Sequence, residues 1–169
     1  MKVADVRTFL VDSGDGKNWL FVKVETDEGI HGWGECYTHS DRDQTIEAHV
    51  RQMARYLIGR DAYAIKHFTH SMYHDYVAKR GSLEFYSALS GLEIALWDVV
   101  GKRLGTPVYN LLGGRCREKI RVYANGWATG ADPSELARRA AKIVSQGFTA
   151  LKFSPFVGPV RAYTDKTAE

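Results

Sequence analysis

The chain has 169 residues, of which 44% are hydrophobic and 25% charged, and a formal net charge of +3. That length holds one ordinary domain, or one domain and part of another, but not a complete eight-stranded β/α barrel, which takes about 250 residues. The composition excludes disordered, collagen-like and coiled-coil classes, the scattered basic residues argue against nucleic-acid binding, and no stretch approaches the ~18 apolar residues of a membrane span.

At the start, Met1-Lys2-Val3-Ala4-Asp5-Val6-Arg7 places charges where a signal peptide needs an unbroken apolar run, so a cytoplasmic protein is expected. Val3, Val6, Phe9 and Val11 lie in an extended run that ends in the turn-rich segment Ser13-Gly14-Asp15-Gly16-Lys17-Asn18. A second strand is predicted from Trp19 to Thr26. Asp27-Glu28-Gly29 then turns into a third, Ile30 to Tyr37, giving an antiparallel meander. Cys36 and Cys116 show no CxxC spacing and read as reduced, structural thiols.

From Asp41 the period changes. Ile46, Val50, Met53 and Leu57 share one face of an amphipathic helix closed at Gly59, and a second helix is expected from Asp61 to Tyr76. The third carries the stripe Leu89, Leu92, Leu96, Val99 and Val100, an i,i+4 pair Asp98 and Lys102, and a stop at Gly105 and Pro107. Strands followed by helices point to an α+β domain over residues 1–117.

After Gly113-Gly114-Arg115 the pattern becomes strand, helix, strand. Ile120 to Ala124 is the first strand, and Asp132-Pro133-Ser134-Glu135 reads as an N-cap, a proline at the first helical position and a capping-box acid. Leu136, Ala140, Ile143 and Val144 should line the buried helix face, with Gly147 ending it and Thr149 to Ser154 forming the next strand. A β-α-β unit implies parallel strands, and two strands with one helix cannot cover both faces of such a sheet. Residues 118–169 therefore read as the incomplete start of a second domain.

Lys152 is the main physical oddity. It lies in a strand that should be buried, on the face opposite Leu151 and Phe153. In a barrel it would point inward near the carboxyl end, where an ammonium can stabilise a developing anion; the alternative is a lysine snorkelling from a strand end. His67, His70 and His74 share one helix face, and the i,i+4 pair His70 and His74 has a spacing that can chelate zinc, but with no further acidic or cysteine ligand nearby a polar helix face is the better account. Glu93 and Asp98 fall on opposite sides of their helix and read as structural pairing. The glycines of Gly29-Ile30-His31-Gly32-Trp33-Gly34-Glu35 sit between strands, where they permit close backbone approach or a bulge rather than cradle a phosphate.

Together these passages resemble the amino-terminal part of the enolase superfamily, in its mandelate racemase and muconate lactonizing enzyme branch. The most specific block is SALSGLEIALWDVVGK over residues 87–102, followed by Leu104-Gly105-Thr106-Pro107-Val108 and Leu111-Leu112-Gly113-Gly114. Gly29 to Glu35 is similar to the glycine pattern of the family's third strand. Val122 to Trp127 and Gly147 to Phe153 are similar to the first barrel strands of its acid-sugar dehydratases.

The resemblance implies an α+β capping domain followed by the start of a (β/α)8-type barrel. It also implies abstraction of a proton α to a carboxylate, with magnesium stabilising the enediolate. Its Mg2+ ligands sit on later barrel strands and are expected beyond residue 169, as is a His-Asp dyad, so this chain alone is expected to be inactive. Racemases of the branch carry Lys-x-Lys on the second strand; here Lys152 matches the first lysine and Ser154 stands at the second. That favours dehydration of a gluconate- or galactonate-type acid over racemization or epimerization. Lys152 would stabilise charge on the substrate carboxylate, while Ser154 and Asn125 would hydrogen-bond the sugar chain. Trp19, Tyr37 and His39 would contribute from capping loops. The expected partners are a small sugar-acid substrate and further copies in a homo-oligomer, with a non-catalytic oligomerization or binding module as the competing reading.

Overall fold

The structure is a computed structural model that describes residues 1–14, 18–38, 42–76, 82–128 and 132–154. The chain divides into two compact units, Met1–Arg115 and Cys116–Glu169. Among the described residues no helix is long and apolar enough to cross a membrane.

The first unit opens with strands β1 (Val3–Asp12), β2 (Asn18–Thr26) and β3 (His31–Cys36) in a three-stranded antiparallel sheet of that order. The β2–β3 hairpin closes through Thr26, whose N–H bonds the Ile30 carbonyl at 3.0 Å, and Gly29 supplies the positive φ of +80°. Alternation along β2 buries Leu20, Val22 and Val24 completely and turns Trp19, Phe21 and Lys23 to the other face. One face is core and the other is not, so a slip of one residue would exchange them, and this fixes the register.

Helices α1 (Asp43–Leu57) and α3 (Leu83–Leu104) cover the buried face. Ile46, Val50 and Met53 on α1 and Leu92, Ala95 and Val99 on α3 are fully buried. Such side chains stabilise by roughly 1.5–3 kcal/mol each when large. The Ser82 hydroxyl accepts the Phe85 N–H at 3.2 Å at the start of α3, and Gly105 (φ +63°) ends the helix before α4 (Val108–Leu111).

The second helix is shorter than the sequence suggests. Asp61 pairs with Lys2 as a bridge and folds its side chain onto the Tyr63 N–H, so α2 begins only at Ile65 and ends at Ser71, followed by a π-helical turn over Met72–Tyr76. The His70 and His74 rings lie 4.2 Å apart between centroids and are tilted by 41°. Among the described residues no three His, Cys, Asp or Glu side chains form a group able to hold a metal.

The glycines of β3 serve close approach, and the β2–β3 register runs without a bulge. A Cβ on Gly32 would lie 2.1 Å from the Ala95 carbonyl oxygen, and one on Gly34 would lie 1.9 Å from that of Gly91. Gly91 in turn admits Cys36, whose Sγ would stand 2.3 Å from a Cβ there. Asp98 ties the same seam from its edge, accepting the Trp33 N–H at 2.8 Å and the Lys102 ammonium at 2.7 Å. Glu93 pairs with Lys66 at 3.0 Å. Both acids are thus structural, as their spacing indicates.

Both cysteines are free, Cys36 buried and Cys116 exposed. Burial, followed by the nearby Glu35 charge, pushes the Cys36 thiol up to about 12. A thiol titration with Ellman's reagent near pH 8 is expected to report Cys116 in the folded chain and both thiols in denaturant. Rapid reaction of two thiols without denaturant would contradict this packing.

In the second unit, α5 (Pro133–Ser145) takes its N-cap and first residue as the sequence indicates, the Asp132 carboxylate accepting the Glu135 N–H at 2.9 Å and Pro133 beginning the helix. The expected capping box does not close, because two arginines one turn on draw the Glu135 carboxylate away from the Asp132 N–H. The Glu135 carboxylate pairs with Arg138 and Arg139, each at 2.7 Å. These contacts hold both acids below the usual carboxylate range: for Asp132 first the Glu135 N–H, for Glu135 first Arg138. A carboxylate with a lowered folded pKa contributes stability above its unfolded value, near 4, and loses it as pH falls through the folded value. The α5 amide signals should therefore show fraying on acidification below about pH 4, and an Asp132→Asn variant should respond less.

The flanking strands are less developed than the sequence predicts. Ala124 and Leu151 form a parallel bridge, with the Ala124 N–H on the Ala150 carbonyl at 3.0 Å and the Lys152 N–H on the Ala124 carbonyl at 2.9 Å. Parallel pairing is as expected, but only this bridge forms where the sequence predicts strands over Ile120 to Ala124 and Thr149 to Ser154. The helix stripe is also incompletely covered: Leu136, Ala140 and Ile143 are half-buried and Val144 is 57% exposed. A single bridge is too narrow a surface to cover an amphipathic helix.

Candidate active site

The structure gathers the candidate residues into two groups, one in each unit. In the first, the β2–β3 register puts Leu20 opposite Cys36, so Trp19 and Tyr37 fall opposite one another at the next step. Both lie on the non-core face and are about half exposed, at 48% and 55%. Trp19 stands edge-on to Phe21 with centroids 6.2 Å apart. Beyond them the sheet end is stitched down: the buried Thr38 hydroxyl donates to the Asn18 carbonyl, and the Asn18 amide donates to Asp43 at 2.6 Å at the start of α1. Two aromatic side chains are thereby presented from a fixed edge. His39 lies outside the described residues.

In the second group, Asn125, Lys152 and Ser154 sit at the carboxyl ends of the two bridged segments. Ala124 and Leu151 are partners and share a face, so alternation sends Tyr123, Asn125 and Lys152 to the opposite one. The Lys152 ammonium lies 5.8 Å from the centre of the Tyr123 ring, as this shared face requires. All three candidates are exposed.

Sequence reasoning missed Tyr123, although its place two residues before Asn125 on one strand face is a readable signal. It also did not single out Trp127, whose ring packs on Phe153 at 5.4 Å, taking Phe153 from the strand face into an aromatic pair at the segment ends. Among the described residues the buried Trp127 indole nitrogen has no hydrogen-bond partner. An ammonium, an amide and a hydroxyl at neighbouring strand ends can hold a carboxylate and a hydroxylated chain. None of these groups is a carboxylate or imidazole, and they do not make a magnesium site.

Residues 8–113 match the N-terminal domain of mandelate racemase / muconate lactonizing enzyme. The chain belongs to this family. Its capping unit is the three-stranded sheet with α1 and α3 described above, and the match stops at the Gly113-Gly114 junction. A D-galactonate dehydratase of Variovorax paradoxus is 37% identical over 91% of this chain and 38% of its own length. The crystal structure of a Mesorhizobium loti protein superposes with a TM-score of 0.85 at 38% identity, covering 90% of this chain and 42% of that one. An enolase superfamily member from Salmonella Typhimurium gives 0.83 at 32% identity over 90% and 42%. The chain thus spans about two fifths of the length of each of these relatives.

Proposed function

We propose that the whole protein is an acid-sugar dehydratase acting on a galactonate- or gluconate-type acid, with residues 1–117 as its cap and residues 118–169 opening its barrel. The reaction removes the proton α to the carboxylate and expels the β-hydroxyl as water; the resulting enol tautomerises to a 2-keto-3-deoxy acid. The carrying observation is the shared face of Lys152 and Asn125 at the carboxyl ends of a parallel pair, the end at which β/α barrels place their chemistry. Relatives named D-galactonate dehydratase, 37% and 39% identical, favour this substrate class.

In this reading the Lys152 ammonium neutralises the substrate carboxylate, which makes the neighbouring C–H more acidic. Asn125 and Ser154 hydrogen-bond the hydroxyl chain and set its register, and Trp19, Tyr37 and His39 are the substrate-contact candidates that the capping unit carries. Magnesium, the family's cofactor, would be held by residues outside those described. A cytoplasmic homo-oligomer completes the proposal.

The test is a panel of aldonic and aldaric acids offered to the whole protein with magnesium. Formation of a 2-keto-3-deoxy acid, detected as its semicarbazone, is the expected result. Epimerization without loss of water would overturn the dehydratase reading in favour of a two-base reaction of the same branch.

A further inference from the structure

We propose that the cavity between the C-terminal end of α1 and helix α2 is a binding site for a small amphipathic monoanion, a carboxylate carried on an apolar body. Its volume is about 300 Å3, at the lower end of the range for ligand pockets. The floor is apolar and deeply buried: Leu57, Phe68 and Met72 are 1%, 6% and 2% exposed. The rim is polar. Arg60 and His67 line it, and the guanidinium of Arg60 has no ion-pair partner among the described residues. The one acid in the lining, Asp61, is folded back on the Tyr63 N–H at 3.1 Å. Such a cation over an apolar floor selects an anion with an apolar tail.

Two features show a site formed in advance of any ligand. The rim segment is pinned to the first strand by three backbone hydrogen bonds: Val3 N–H to the Arg60 carbonyl at 2.9 Å, Gly59 N–H to the Val3 carbonyl at 2.8 Å, and Ala62 N–H to the Met1 carbonyl at 3.1 Å. A fixed rim loses little freedom when it binds. At the other wall, Met72 opens the π-helical turn, a rare backbone form found frequently at functional sites.

The cavity is not the sugar-acid site. Its rim joins β1 at Val3, whereas Trp19 and Tyr37 stand at the sheet end where Asp12 pairs with Asn18. The ten residues of β1 separate the two ends by about 30 Å. The inference therefore stands or falls independently of the dehydratase reading.

Three methionines make the test direct. Met72 lines the cavity, and Met53, completely buried in the core, does not. In a chain carrying 13C-methyl methionine, titration with phenylacetate is expected to shift the Met72 signal to saturation and leave Met53 in place. Arg60→Gln, at an exposed position, should weaken binding about tenfold or more, with the unmoved Met53 signal reporting an intact core. Benzyl alcohol, which has the body without the charge, should bind correspondingly worse than phenylacetate. A Met72 signal that does not respond, equal binding by Arg60→Gln, or equal binding of benzyl alcohol would each overturn the proposal.

Discussion

Replacing Lys152 by alanine in the whole protein is expected to lower kcat for its sugar acid by about 10²–10³-fold, the usual effect of removing one group aimed at developing charge. The ammonium would act on charge that grows as the α-proton leaves, so the loss should fall on kcat more than on KM. Lys152 is exposed and its ammonium rests against Tyr123, so the fold should survive the change, which circular dichroism can check. Lys152→Arg, which keeps the charge, should recover part of the rate, and Tyr123→Phe, which keeps the ring, should leave it nearly unchanged. A loss confined to KM would reduce Lys152 to a binding contact. No loss at all would remove it from the site.

The second large effect is on stability. Gly34→Ala puts a methyl group 1.9 Å from the Gly91 carbonyl oxygen and 2.9 Å from the Ala95 nitrogen, both helix backbone. Neither can swing aside as a side-chain tip could, so β3 and α3 must separate along the seam that Asp98 also holds. The expected cost is about 3 kcal/mol or more, above the common range for overpacking. Gly29→Ala is the internal control. That site has a φ of +80° but open space around it, so only backbone strain of about 1 kcal/mol is expected. Urea denaturation of the two variants should separate them clearly. Equal stabilities would mean that the strand and helix do not meet this closely.

Patterns that repeat within one element are legible in the sequence alone. The α1 stripe of Ile46, Val50, Met53 and Leu57, the Asp98–Lys102 pair and the glycine stop at Gly105 all follow from local spacing. What depends on distant partners is harder to read. Asp61 resembles a helix start in sequence but is drawn into a bridge with Lys2, which delays α2. The glycines of β3 leave close approach and a bulge both open, because only the position of α3 decides between them. At the site, Lys152 stands out because a charge in an apolar strand is anomalous by itself. Tyr123 is an ordinary strand residue until the parallel bridge sets it beside that ammonium.

The uneven cover of the two units has a consequence for hydrogen exchange. Amides at the centre of β2, between β1 and β3 and beneath α3, can exchange only when the whole first unit opens, and should define its global stability. The Ala124 and Lys152 amides are held by a lone bridge beside a helix with no fully buried residue. In this chain they should exchange through local opening that leaves the sheet intact, so deuterium would mark the second unit well before the first.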